Sequence, residues 1–407
     1  MQIKILYGEK TVKCEIPERN LIKTLSLNDK SEKSLTNRRY QGLEEFLEKN
    51  KRTIIIVNDH ERATPTFTIL GDIYSKIKDK RFEILIASGA HRPPREEELK
   101  RILGEKYWKL KEKIKIHNAE KIEETSHIGK TRFKNQVYVN RRILEAEKII
   151  VIGSVEPHYF AGYTGGRKFL LPGISRYETI EYNHKFALDK NAQPLRLKDN
   201  PVHEDMMEAL KLLDREEDIY SIMTVINRRR EIIKLETGNI NETFMKCVEK
   251  AKKFYTRRIE EKVDIIIAVA ESPFNISLYQ AHKAIENVKS ALKDEGIIIL
   301  VAECKEGIGP RNFYNLLSST RKPEEIVRKI EENYRLGYHK AARLAELMRK
   351  AEIWAVTSLE KNILTKINLK PFTNLQKAID EALKEKGRDA EIMLINEAAT
   401  IIPILGN

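Results

Sequence analysis

Residues 158–173 read HYFAGYTGGRKFLLPG, with four glycines, His158, and the adjacent cations Arg167 and Lys168. A glycine loop ending in two cations suits two chemistries. Its backbone N–H groups can cradle a phosphate, or its lysine can act as a reagent that forms a covalent bond. GYTGGRKF is not a P-loop, because GxxxxGK[ST] needs a different spacing and a hydroxyl after the lysine. Nor is it a GxGxxG dinucleotide loop. A plain strand-to-helix turn is the remaining alternative, but it has little use for Gly162, Gly165, Gly166 and Gly173 beside two cations.

Other polar residues follow apolar runs in the same way. TIIIV leads into NDHERATP, with Asp59 and Arg62. EILIA leads into SGAHRPP, with Gly89 and His91, and KIIVIG leads into SVEPH, with His158. DIIIAVA leads into ESPFNISLYQAHK, where Gln280 and Lys283 are three apart and share one helix face. Ligands of open parallel sheets bind beyond the carboxyl ends of the strands, so these residues converge if one cleft uses them. Each also has a plainer reading. His91 fits an ordinary turn, Arg62 a helix cap or a partner of Asp59, and His184 in ETIEYNHKF a surface or core position. His60, His117, His127, His203, His282 and His339 read as structural or exposed, and Trp108 and Trp354 as core.

The elements that must carry these residues alternate. Residues 2–17 read as two short strands around YGEK. From residue 53 the apolar runs TIIIVND, FEILIASGAH, IKIHNAE and EKIIVIGSV are separated by helical stretches, including one continuous helix over REEELKRILGEKYWKLKEK. A second series begins near residue 262 with VDIIIAVAESP, GIIILVAEC, EIWAVTSL and AEIMLINE, again with helices between. Short buried runs between amphipathic helices predict parallel sheets covered on both faces. The expectation is an α/β protein of two domains, each a largely parallel sheet flanked by helices, with the active site in the interdomain cleft. The boundaries are 1–258 for an N-terminal cofactor-binding domain, rejoined by 397–407, and 259–396 for a C-terminal domain.

Lysine and arginine total 74 against 61 acidic residues, a net charge of +13 that favours anionic ligands. Nucleic-acid binding and simple phosphate or nucleotide binding without catalysis are the rival classes. The first needs clustered cations with exposed aromatics, whereas here the charges interleave, as in KLKEKIK and REEELKR. Cys14, Cys247 and Cys304 are too scattered for a disulfide framework and read as thiols in a reducing compartment. No signal core opens the sequence and no apolar run approaches membrane-spanning length. The expected location is the cytoplasm, with no membrane partner.

The motifs DHERATP, SGAHRP, EPHYFAGYTGGRKFLLPG, YNH and LYQAHK, spread in order over residues 59–283, carry a resemblance. The chain resembles the lactate racemase family, nickel-pincer nucleotide enzymes that racemise or epimerise 2-hydroxy acids, over nearly its whole length. The resemblance implies that Lys168 tethers the nickel-pincer nucleotide, a pyridinium bisthiocarboxylic acid mononucleotide, through a thioamide. It implies that His184 is the protein ligand to nickel, that His91 and His158 are the acid–base pair, and that Arg62, Gln280 and Lys283 hold the substrate. Asp59 supports the site. Gly162, Gly165, Gly166 and Arg167 belong to the loop that meets the cofactor. The implied partners are a small 2-hydroxy acid and the cofactor-biosynthesis proteins that load the site.

The residue types suit that chemistry. The C2–H of a 2-hydroxy carboxylate is a poor acid, so it leaves more readily as hydride once a base has taken the hydroxyl proton. Inversion needs an acid–base group on each face, and two imidazoles with ordinary pKa values of about 6.5 serve both directions. Arginine and lysine suit a carboxylate, and imidazole suits nickel. Arg167 beside Lys168 is expected to lower the lysine pKa by like-charge repulsion. One departure stands out. Lactate-specific members of the family place a tryptophan against the substrate in a region that here reads EENYRLGYHKAARLAEL, with Tyr334, Leu336, Tyr338 and His339 but no tryptophan. That points to a substrate larger than lactate.

Overall fold

The computed structural model describes residues 1–27, 33–48 and 51–406. The chain divides into two compact units, one of residues 28–253 and one of residues 1–27 with 254–407.

The 28–253 unit is built on a six-stranded sheet. Its spatial order is Ile232–Gly238, Ile219–Ile226, Lys148–Ser154, Thr53–Asn58, Phe82–Ala87 and Ile114–Ile116. All neighbours are parallel except the first pair, an antiparallel hairpin at the edge. The run Thr53–Val57 is buried at every position, as a strand covered on both faces must be. The helix Thr66–Ile77 buries Ile69, Leu70, Ile73 and Ile77, one helical stripe, against Ile55, Ile84 and Ile150 of the sheet. After Thr53–Asn58 the chain builds outward on one side through Phe82–Ala87. It then returns to the opposite side with Lys148–Ser154. The order therefore reverses between Thr53–Asn58 and Lys148–Ser154, which is where an open α/β sheet makes a crevice for ligand.

The second unit has a six-stranded, wholly parallel sheet. Its order is Lys370–Phe372, Glu352–Val356, Leu292–Val301, Val263–Val269, Ile392–Ile395 and Leu21–Leu25. The helix Leu375–Lys386 presents Leu375, Ala378, Ile379 and Ala382 to its core. Trp354 is fully buried there. No helix among the described residues is long and apolar enough to cross a membrane.

The division differs from the expected 1–258, 259–396 and 397–407 at both chain ends. Leu21–Leu25 pairs with Ile392–Ile395, and Ile5, Cys14 and Ile16 enter the same core as Ile265 and Ile297. Residues 397–407 do not return to the first unit, since Ile402–Leu405 pairs with Thr256–Ile259. Two local expectations also change. The continuous helix over residues 95–113 ends at Leu103, and Gly104, at φ 58°, turns the chain into short helical pieces under the Phe67 side chain. Trp108 lies on one of these pieces and is 63% exposed, so it is not core.

Candidate active site

The loop after Thr53–Asn58 folds on its own aspartate. Asp59 is 3% exposed, and its Oδ1 accepts the Glu61 N–H at 3.2 Å. Its carbonyl accepts the Arg62 N–H at 3.3 Å. This tight turn aims the Asp59 carboxylate at the next loop, where Oδ2 lies 2.7 Å from Nδ1 of His91. The other imidazole nitrogen, Nε2, lies 3.2 Å from a Glu61 oxygen. Burial works against charge on His91, but Glu61 and Asp59 overcome it and hold the imidazole above its ordinary value, with Arg62 opposing. Burial likewise opposes the Asp59 carboxylate charge, yet His91, Arg62 and His60 bring its pKa below the usual carboxylate value.

Two contacts fasten this group beside the glycine loop. The Gly89 N–H donates to Gly173 O at 2.9 Å, and Thr64 Oγ1 lies 2.8 Å from Ser154 Oγ. The loop begins as a two-residue ribbon in which Pro157–His158 pairs with Gly162–Tyr163. It continues through a 3-10 turn, Gly166–Phe169, that carries Lys168. The Phe160 ring is its hub. His158 meets the ring edge-on at 4.5 Å between centroids, His184 does so at 5.2 Å, and Lys168 Nζ is 5.6 Å from its centre. A residue expected to do acid–base work, the expected cofactor tether and the expected nickel ligand thus surround one aromatic side chain. Nδ1 of His158 accepts the Ala161 N–H at 3.3 Å, which fixes the ring.

The loop's glycines and Arg167 have roles that the sequence reading did not foresee. A Cβ on Gly162 would stand 2.3 Å from Arg196 O, and one on Gly165, at φ 79°, 2.9 Å from Ser154 O. Gly166 likewise lies against Phe244. These positions need glycine because the protein's own chain fills the space, so packing explains them without a cofactor. Arg167 is expected to touch the cofactor, but the structure turns it inward at 1% exposure. Its guanidinium donates to Ala161 O at 2.7 Å and Gly165 O at 3.3 Å and lies 4.7 Å from the Phe244 ring centre. Burial pulls its pKa down to about 9, which leaves it charged at neutral pH. Arg167 therefore clamps the two limbs of the loop that presents Lys168.

His184 sits in the last turn of the helix Tyr177–Lys185. The residue before it, Asn183, donates to Asp205 Oδ2 at 2.8 Å. Asp205 is fully buried and also accepts from Asn135 at 2.8 Å and Thr131 at 2.6 Å. Nothing in the sequence marks it, because its three partners lie up to 74 residues away. Asp205→Ala would leave these buried donors without their acceptor. The expected loss in urea denaturation is on the order of 3 kcal/mol, at about 1–3 kcal/mol for each unsatisfied group. A loss below about 0.5 kcal/mol would show that the network is dispensable.

In the second unit, Gln280 and Lys283 lie on the first turns of the helix Leu278–Val288, whose N-cap Ser277 accepts the Gln280 N–H. Both are buried, and Lys283 Nζ is 4.6 Å from the Phe274 ring centre. Lys340, which the sequence reading missed, donates to Tyr279 O and lies 3.5 Å from the Tyr279 ring centre. Glu61 and Phe160 were missed too, although both stand inside motifs already singled out. Among the described residues, no three His, Cys, Asp or Glu side chains are placed to hold a metal ion. The His184 imidazole is itself a donor that suits nickel, the ion the resemblance implies.

The family model for the lactate racemase N-terminal domain matches residues 7–194, and that for the lactate racemase C-terminal domain matches residues 259–403. The lactate racemases of Thermoanaerobacterium thermosaccharolyticum and Lactiplantibacillus plantarum are each 27% identical to the chain. Each alignment covers 98% of this chain, and 98% and 99% of the respective relative. The structure of the lactate racemase apoprotein from T. thermosaccharolyticum superposes with a TM-score of 0.87 at 26% identity, over 99% of this chain and 100% of that one. A crystal structure of a Thermotoga maritima protein shares the fold, with a TM-score of 0.71 at 18% identity over 90% of this chain and 97% of that one.

Proposed function

The chain belongs to the lactate racemase family, and from that premise we propose that it inverts C2 of a 2-hydroxy carboxylate larger than lactate. The observation that carries this reading is the gathering of His158, Lys168 and His184 around Phe160, beside a His91 held by Asp59. Lys168 tethers a nickel-pincer nucleotide and His184 supplies the protein ligand to its nickel. Bound there by Lys168 and His184, the group would supply a reversible acceptor for the C2 hydride. The chain's own residues do the rest. Arg62, Gln280 and Lys283 hold the carboxylate. One histidine of the pair His91 and His158 receives the hydroxyl proton, and the other gives a proton back when the hydride returns to the opposite face. Asp59 fixes the His91 ring through Nδ1, so Nε2 is the nitrogen that meets the substrate. Loading depends on cofactor-biosynthesis proteins, and the cytoplasm is the compartment for both.

The size of the substrate follows from residues 331–347, which hold no tryptophan. Smaller or more polar side chains there open the pocket. One carbon in such a pocket is worth about 1–3 kcal/mol, so the preference over lactate is expected to be roughly ten- to two-hundredfold. The test uses loaded enzyme on lactate, malate, 2-hydroxyglutarate, phenyllactate and aldonic acids, following chirality and the fate of the C2 hydrogen. The expected result is fastest turnover on a larger acid with the C2 hydrogen retained. Fastest turnover on lactate overturns the size argument, and full exchange of that hydrogen with solvent overturns hydride transfer.

A further inference from the structure

His91 is bracketed by carboxylates on both ring nitrogens, Asp59 at Nδ1 (2.7 Å) and Glu61 at Nε2 (3.2 Å). A neutral imidazole has one N–H and can donate to only one of them. Donation to both needs the imidazolium. The two contacts differ in permanence. Asp59 is 2% exposed at its side chain and tied into its own turn, whereas the Glu61 side chain is 13% exposed and that of His91 30%. Nε2 is also the nitrogen that a substrate hydroxyl must reach, because Nδ1 is taken by the buried Asp59. Glu61 therefore occupies the position the hydroxyl needs.

We propose that Glu61 is a positioning residue that keeps His91 protonated between turnovers and yields its place on Nε2 to the substrate hydroxyl. This rests on the reading of His91 as one of the acid–base pair. The consequence is an unequal pair. Each inversion puts one proton on one histidine and takes one from the other, so the active form of the enzyme holds a single proton over the two. His91, between two carboxylates, is built to hold that proton. Loss of that proton then sets the alkaline limit of activity.

Other charged groups lie near His91. Arg62 faces it and opposes the charge. Arg92, on its own segment, is turned to Glu98 at 2.6 and 2.7 Å, and His60 is 3.9 Å from the same carboxylate. The glycine-loop residue packed against Gly89 is Pro172, which carries no charge. The contest is thus between Asp59 and Glu61 on one side and burial and Arg62 on the other.

The test is a titration of apoprotein carrying histidine labelled with carbon-13 at Cε1, with the His91 resonance assigned by its loss in His91→Ala. Removing a carboxylate beside an imidazolium makes proton loss easier. Glu61→Gln and Glu61→Ala should both lower the His91 midpoint by about one pH unit, the lower end for an opposite charge at this distance. In loaded enzyme the alkaline limb of kcat/KM should move down equally, so that activity on that limb falls about tenfold. The acid limb should stay in place, a pattern that a merely structural residue would not produce. An unchanged His91 midpoint in both variants overturns the proposal, as does an alkaline limb that stays put while the midpoint moves. The titration needs neither cofactor nor turnover. A loaded wild type inactive on every hydroxy acid would thus strike the functional reading, while a lowered midpoint would still uphold Glu61 as the group that charges His91.

Discussion

Lys168→Ala, expressed together with the cofactor pathway, is expected to have the intact mass of its bare sequence, while wild type carries an increment on the order of several hundred daltons. The geometry makes the comparison clean. The backbone of Lys168 shapes the loop, since its N–H donates to Gly165 O and its carbonyl accepts from Gly173 N. Alanine keeps both contacts. The side chain reaches toward Phe160, while the clamp on the loop is made by Arg167. The variant should therefore keep its circular dichroism spectrum and lose the adduct and the racemase activity together. Lys168→Arg should behave the same way, since a guanidinium keeps the charge but does not form the amide-type bond. An equal mass increment in the alanine variant would move the tether to another residue.

Removing either acid–base histidine is expected to lower turnover by roughly 10²–10⁴-fold, equivalent to about 2.7–5.5 kcal/mol of barrier at ~1.4 kcal/mol per decade. Nickel content should be unchanged in both variants, whereas it should fall in His184→Ala. The two positions call for different controls. His91 is a third exposed at its side chain, so His91→Ala should fold as wild type does. His158 is buried at 6% against Tyr159 and Phe160, and an alanine there leaves a void beside the hub of the site. His158→Gln fills more of that space and should lose turnover with a smaller change in melting temperature. Wild-type racemisation by His91→Ala or by His158→Gln would end the two-histidine mechanism.

The strands that carry the site were legible because they are buried on both faces and so read as apolar runs, as in residues 54–57 and 265–269. Their carboxyl ends then located Asp59, His91, His158 and the glycine loop. Pairing partners were not legible. Nothing local in LIKTL says that Leu21–Leu25 lies beside Ile392–Ile395, since parallel pairing is a contact between distant segments. The same holds for Asp205, whose importance lies in three donors drawn from separate elements. The inward packing of Arg167 was not legible for a different reason. A cation in a glycine loop looks like a ligand group, and only the packing of Phe244 and the carbonyls of Ala161 and Gly165 shows that it faces inward. Trp108 was assigned to the core from its residue type alone, whereas Lys100 and Lys111 lie over its exposed ring, 5.3 and 5.9 Å from the ring centre.

The pairing of Leu21–Leu25 with Ile392–Ile395 sets an order of events during synthesis. The first strand of that sheet leaves the ribosome early, and its neighbour is translated about 370 residues later, a delay of roughly 20–70 s at ~5–20 residues per second. The 28–253 unit lies wholly within that interval and can close around its own core while the amino-terminal strand waits. The entry and exit of this insertion are adjacent within the host unit, where Arg257 Nε donates to Ser26 O at 3.1 Å and Lys23 Nζ donates to Arg258 O at 3.1 Å. Throughout the wait, Leu21–Leu25 lacks the neighbour that will satisfy its backbone, so its open edge must stay unpaired until Ile392–Ile395 arrives.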